Sequence, residues 1–180
     1  AVADPEWLAN YHRALARLHA LVRDATAGFD AYDVHGPARA IEAFVEELSN
    51  WYVRRNRRRF WKAEDDADKR AAYATLYTCL TTLARLLAPF MPFVSEALYR
   101  NLVADQDPDA PQSVHLADWP VVDPGRIDER LLADTALLLE TVSLGRSARR
   151  SAGLKVRQPL AGLWVRVPTA AHADALRRFG

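Results

Sequence analysis

Ile41, Phe44, Val45, Leu48 and Tyr52 fall at i, i+3, i+4, i+7 and i+11, a single apolar stripe along one helix. Continued on the same wheel, that stripe meets Arg55 and Arg59. Burying two unpaired guanidinium groups in an apolar core is very costly. Either the helix runs past the core at this point, or these arginines meet carboxylates of the remaining chain. Arg54, Arg57 and Arg58 fall on the other side of the wheel and are expected in solvent. A chain that turns an apolar helix face cationic within one turn must build its fold around that transition.

Helical spacing governs most of the chain. Leu8, Tyr11, Leu15, Leu18 and Val22 predict a first amphipathic helix, with Asp4 and Pro5 as its start and Gly28 as its stop. A third helix is predicted from Asp68 to Ala88, with Leu76, Leu80, Leu83 and Leu87 on one face and Pro89 ending it. Pro92 opens a fourth carrying Phe93, Val94, Ala97 and Leu98. Residues 105–127, rich in Pro and Asp, predict a long surface loop in which Ser113 to Leu116 is a candidate strand. A fifth helix starts near Asp128 and packs through Leu131, Leu132, Thr135, Leu138, Leu139 and Val142. Gly153 with Leu154 supplies its C-cap. Beyond it Leu163, Val165 and Val167 alternate at strand spacing, and Ala170 to Phe179 returns to helix. The expected fold is an all-α helical bundle over residues 1–153. Residues 154–180 are expected to be the truncated start of a small α+β domain, the chain being a fragment of something longer.

Composition narrows the function classes. Of 180 residues 50% are apolar and five are Trp, which argues against disorder. No apolar run approaches bilayer length and no stretch has the order of a secretory signal, so a cytoplasmic protein without membrane contact is expected. The single cysteine, Cys79, leaves no internal disulfide framework or multi-cysteine zinc site, and its leucine neighbours predict a core position. The net charge of +1 conceals segregation: residues 54–62 hold six basic and no acidic side chains, and residues 146–180 hold eight basic and one acidic. Two basic segments set in an acidic body point to a polyanionic partner.

The first segment is Trp51-Tyr52-Val53-Arg54-Arg55-Asn56-Arg57-Arg58-Arg59-Phe60-Trp61-Lys62. Planar guanidinium groups match phosphate oxygens two at a time, and aromatic rings beside them can stack on unpaired bases. The competing reading has Phe60 and Trp61 anchoring the segment on the core, with some arginines bridged to Glu64, Asp65, Asp66 or Asp68. The second segment places Arg146, Arg149 and Arg150 on one helix face, with Lys155 and Arg157 on one side of the extended chain that follows. Favourable charge at a helix C-terminus accounts for one or two of these five, not all. Gly145, inside that helix, is a candidate for close helix packing. No Gly-rich phosphate loop, HExxH spacing or nucleophile-base set is present, so neither catalytic nor metal-binding residues are expected.

Four stretches in order carry a family resemblance. They are Leu48 through Lys62, Leu80-Thr81-Thr82-Leu83-Ala84-Arg85-Leu86-Leu87-Ala88-Pro89-Phe90-Met91-Pro92-Phe93, Ser113-Val114-His115-Leu116-Ala117-Asp118-Trp119-Pro120, and Gly145-Arg146 through Lys155-Val156-Arg157-Gln158-Pro159-Leu160. Across roughly residues 14–165 the chain resembles the anticodon-binding domain of isoleucyl-tRNA synthetases of the eukaryote-like type. The Ala-Pro-Phe-Met-Pro-Phe stretch is shared with the valine, leucine and methionine enzymes. The arginine run and Lys-Val-Arg-Gln-Pro-Leu point to isoleucine. The resemblance implies a monomeric helical bundle that grips the anticodon stem-loop of isoleucine-accepting tRNA, attached to catalytic and editing domains. ATP and Mg would serve the parent ligase, and this stretch, lacking the His-Ile-Gly-His and Lys-Met-Ser-Lys-Ser signatures, would use no cofactor. The tRNA-binding set it suggests is Arg54, Arg55, Arg57, Arg58, Arg59, Trp61, Lys62, Arg146, Arg149, Arg150, Lys155 and Arg157. The matching domain of a valyl- or leucyl-tRNA synthetase is the near alternative, and a helical module binding an acidic protein the distant one.

Overall fold

The computed structural model describes residues 5–61 and 67–178, with side chains from Tyr11 onward. Its helices are α1 (Pro5–Asp30), α2 (His35–Glu47), α3 (Arg57–Phe60), α4 (Ala67–Leu87), α5 (Pro92–Tyr99), α6 (Glu129–Ser151) and α7 (Ala170–Arg177). π-helical turns follow α2 (Leu48–Val53) and α5 (Arg100–Ala104), and 3₁₀ turns occupy Val114–Leu116 and Pro124–Arg126. Among the described residues there is no strand, so the architecture is all-α. The chain forms two compact units, Ala1–Ile127 and Asp128–Gly180.

In the first unit α1 supplies Leu15, Leu18 and Val22 to the core as its spacing predicts, and Leu21 and Ala25 as well, while Tyr11 is half-buried and Leu8 lies outside the described side chains. Gly28 does not stop α1, which runs on to Asp30. A Cβ at Gly28 would sit 2.5 Å from Pro37 Cγ, so the missing side chain is what lets α2 approach α1. The reversal between them uses Tyr32, exposed and left-handed at φ 59°. Asp33 Oδ1 then accepts hydrogen bonds from the backbone N–H groups of His35 and Gly36, both at 3.0 Å, in place of the carbonyls a helix start lacks.

α4 is buried along Ala72, Thr75, Cys79, Thr82, Leu83 and Leu86, while Leu76, Leu80 and Leu87 are only half-buried. Small and hydroxyl-bearing residues line the closest approach because they admit neighbouring backbone. The Thr75 hydroxyl returns its proton to Ala71 O at 2.9 Å and so carries no unmet polar group inward. Cys79 is fully buried, as predicted, and burial pushes its thiol up to about 12.

α5 departs from expectation. Phe93 and Val94 are exposed, and the helix instead seats Ser95 and Tyr99 inward, Tyr99 clustering with Ala84 and Val114. Ser95 can be buried because its hydroxyl donates to Pro92 O at 3.0 Å. Glu96 of the same helix accepts from Ser113 Oγ (2.8 Å) and the Val114 N–H (2.9 Å). With that N–H taken by a carboxylate, Ser113 to Leu116 closes into a 3₁₀ turn rather than the predicted strand. Further along the loop the Trp119 indole donates to Thr26 Oγ1 at 2.9 Å and meets Phe29 edge-on, pinning the connection to α1.

In the second unit Asp128 caps α6 by accepting from the Leu131 N–H at 2.8 Å. The C-terminus closes as the sequence predicts. Gly153 takes φ +68° and donates to Arg150 O, while Leu154 donates to Arg149 O at 2.9 Å. α7 packs on α6 with Thr135 and Ala175 buried, and the α6 leucines predicted to pack are half-buried. Residues Leu163 to Val167 run without ladder partners among the described residues, so the alternation there is not realised as a strand. A Cβ at Gly145 would meet nothing within 4 Å, which removes the close-packing role expected of it.

Candidate nucleic-acid interface

The π turn at Leu48–Val53 decides which arginines face out. A π turn inserts one residue into the helical repeat, so the inward positions after it become Tyr52, Asn56 and Phe60, all buried. Arg55, expected on the continuing stripe, is exposed instead. Arg54, Arg57 and Arg58 are exposed as predicted, and among the described residues they make no ion pair.

A polar network fixes the segment to α4. The Tyr52 hydroxyl donates to Ala72 O at 3.0 Å, and burial raises its pKa, keeping the proton in place. Asn56 Nδ2 donates to Tyr52 O at 2.7 Å, and Asn56 Oδ1 accepts from Arg59 at 3.1 Å. Arg59 then clamps Asp68: Nε donates to Oδ2 at 2.8 Å, one terminal nitrogen donates to Asp68 O at 3.1 Å, and the same nitrogen pairs with Oδ1. Arg59 thus meets a carboxylate of the acidic body. Its side chain is largely buried, and its guanidinium is occupied within the protein.

The two aromatics separate. Phe60 is buried edge-on between Tyr52 and Tyr73. Trp61, next in the chain, is 69% exposed, and the Arg57 guanidinium carbon lies 3.9 Å from its ring centroid. Phe60 is the core anchor, and Trp61 is presented to solvent beside three solvent-facing arginines. Lys62, Glu64, Asp65 and Asp66 lie outside the described residues.

In the second unit Arg146, Arg150, Lys155 and Arg157 are exposed. Arg149 is not equivalent to them. Its guanidinium donates to Lys155 O (3.0 Å) and Gln158 O (2.8 Å), holding the turn that follows α6. Its guanidinium ties the chain that bears Lys155 and Arg157 to the end of α6 and keeps its charge.

Sequence reasoning passed over a neighbouring cluster. Arg13 and Arg17, one turn apart on α1, share the carboxylate of Glu47 at 3.9 and 3.5 Å. Trp51, in the π turn, has the guanidinium carbons of Arg13 and Arg55 at 5.6 and 5.7 Å from its ring. The i, i+4 spacing of two arginines on a helix otherwise read as core was the available signal. Among the described residues no group of three or more His, Cys, Asp or Glu could hold a metal ion. Nor is any described helix long and apolar enough to cross a membrane.

Residues 12–163 match the family model described as the anticodon-binding domain of tRNA ligase. Similar curated proteins include the isoleucine–tRNA ligase of Dehalococcoides mccartyi, 56% identical over 165 residues, which are 92% of this chain and 16% of that protein. The isoleucine–tRNA ligase of Thermus thermophilus is 52% identical over 166 residues, again 92% of this chain and 16% of the relative. That of Deinococcus radiodurans is 49% identical over 164 residues, 91% of this chain and 15% of the relative. The chain therefore spans about one sixth of the length of these relatives. With an all-α fold, a solvent-facing arginine and tryptophan cluster, and a match covering most of its length, the chain belongs to the family of tRNA ligase anticodon-binding domains.

Proposed function

We propose that this chain holds the anticodon stem-loop of an isoleucine-accepting tRNA for a ligase that attaches isoleucine at the expense of ATP. The observation that carries the reading is the pairing of exposed Trp61 with Arg57 at the end of a segment that Tyr52 and Arg59 fix to α4. A ring kept out of the core by its rigid surroundings costs little to order when a base stacks on it. Arg54, Arg57 and Arg58 beside it neutralise phosphates, and Arg146, Arg150, Lys155 and Arg157 form a second set of phosphate contacts. Arg55 and Lys62 extend the first set. Arg59 and Arg149 serve as positioning residues.

Isoleucine specificity is supported by the three relatives of that name. The ATP-dependent chemistry, Mg, and the catalytic and editing domains are assigned to the remainder of such a ligase, which acts as a cytoplasmic monomer.

The reading is tested by titrating the chain with tRNA transcripts that differ only in the anticodon loop, over a range of KCl concentrations. Binding that prefers the isoleucine anticodon and weakens steeply with salt is expected. Equal binding of all transcripts would leave an RNA-binding domain without anticodon choice. Preference for poly-glutamate over every tRNA would replace the reading with an acidic protein partner.

A further inference from the structure

Arg13 and Arg17 sit on a helix that otherwise serves the core. Their side chains are 15% and 25% exposed, yet among the described residues neither guanidinium has a hydrogen bond. Each has only a long ion pair, at 3.9 and 3.5 Å, to the same Glu47 carboxylate. One carboxylate cannot satisfy two planar forks, each with five N–H donors. The groove they line has an apolar floor of Phe44, Leu48 and Tyr52, and Trp51 at its edge. The Trp51 ring lies near enough to Arg13 to attract its cation and restrict its orientation. Burial holds the Arg13 pKa below its ordinary value; Glu47 opposes this, and Arg55 and Arg17 reinforce it. Cationic groups crowded together at 3.5–3.9 Å from the one counter-charge they meet among the described residues are arranged for an anion that approaches from outside.

We infer that Arg13 and Arg17, steered by Trp51 and held in reserve by Glu47, form a further phosphate-binding site for the tRNA backbone. The inference rests on the proposed tRNA-binding function and extends it to α1. Trp51 and Trp61 stand at the two ends of one short segment, ten residues apart, so the groove and the platform are joined by the Tyr52–Phe60 stretch that is fixed to α4. A single RNA strand or stem meeting the platform therefore has backbone within reach of the groove. In this arrangement Glu47 is a competitor. It keeps the two arginines extended in the free protein and yields them when a phosphate, with its two non-bridging oxygens, replaces the long ion pairs by direct hydrogen bonds.

The competition gives the site a signature that a structural ion pair lacks. In the wild-type chain, affinity for an isoleucine tRNA transcript is measured against KCl concentration, alongside Arg13→Gln/Arg17→Gln, Glu47→Gln and Arg57→Ala/Arg58→Ala. Loss of two phosphate contacts at 0.15 M salt weakens binding about 15- to 30-fold and shallows the salt slope by about 1.4–1.8. That is the expected result for Arg13→Gln/Arg17→Gln with melting temperature retained. Glu47→Gln is expected to tighten tRNA binding and leave the slope as steep or steeper. If Arg13→Gln/Arg17→Gln unfolds, the Glu47→Gln arm decides alone, since an ion pair that only supports the fold gives weaker or unchanged binding there. Unchanged or weaker binding by Glu47→Gln overturns the inference. So does an unchanged slope in a folded Arg13→Gln/Arg17→Gln variant, provided Arg57→Ala/Arg58→Ala still weakens binding. Failure of the wild-type chain to bind any tRNA instead overturns the proposed function.

Discussion

The guanidinium carbon of Arg57 lies 3.9 Å from the centroid of the Trp61 ring, and that ring is 69% exposed. The contact is made on the surface, between two exposed side chains. It holds the indole in one orientation beside the cations that neighbour it. The geometry separates contributions to RNA binding that otherwise blur together.

Trp61→Ala is expected to cost about 1–3 kcal/mol of tRNA affinity with little change in salt slope, because stacking releases no counterions. Its melting temperature should match the wild type, since the ring is not buried. Arg57→Ala with Arg58→Ala is expected to shallow the slope by about 0.7–0.9 per lost phosphate contact. Salt-resolved affinity and thermal melts on the same variants check both.

Asp68 receives three contacts from Arg59, and the pair is only partly exposed. Asp68→Asn keeps the shape and removes the charge, so about 1–3 kcal/mol of stability should go with the weakened charge-assisted bonds. Because that clamp fixes the segment bearing Trp61, tRNA affinity should fall by more than the stability loss explains. Denaturant melts and tRNA titration of the one variant separate the two effects.

Gly28 and Gly145 both lie inside helices but should respond oppositely to alanine. At Gly28 the new Cβ meets Pro37 at 2.5 and 2.9 Å, so α1 and α2 must part and about 1–3 kcal/mol of stability is lost. At Gly145 nothing lies within 4 Å, and the helix gains about 0.8–1 kcal/mol from propensity. Urea melts of the two variants give the signs directly.

His19 links α1 to the loop before α6. Its Nδ1 accepts the Asp123 N–H at 3.1 Å, which requires that nitrogen to be unprotonated. Burial depresses the imidazole below its ordinary value of 6.5; Arg126 adds to this and Asp123 opposes it. The unfolded chain therefore binds the proton first, and stability falls as pH drops below about 6.5 until the folded form also protonates. Glu96, held down by its bonds to Ser113 and Val114, acts in the same direction below its ordinary value of 4.5. His19→Gln should flatten the stability-against-pH curve just below about pH 6.5 and leave the lower acid limb in place.

Cys79, fully buried and with its thiol pushed up to about 12, should resist a thiol reagent at pH 8 for as long as the chain stays folded. Labelling at the rate of a denatured control would show that α4 opens readily.

The sequence by itself determined the longer helices, several of their ends and the sign of their surfaces. Apolar spacing located α1, α2, α4 and α6, Pro92 and Asp128 marked starts, and Gly153 with Leu154 marked an end, because these depend on a few neighbouring residues. Family membership was equally legible, in the arginine run and in the stretches around Pro89 and Gln158. Tertiary structure alone decided which side of each helix meets the core when the face is small or mixed. Thr75 and Cys79 line the inner face of α4 ahead of Leu76 and Leu80, and Ser95 displaces Phe93, because close approach rewards small residues with satisfied hydroxyls. It also decided the fate of each arginine. One extra residue in the π turn swings Asn56 and Phe60 inward and Arg55 out, and leaves Arg59 on Asp68. No wheel drawn at 3.6 residues per turn contains that insertion, since the widened turn is held by contacts with α1 and α4 that are distant in the chain.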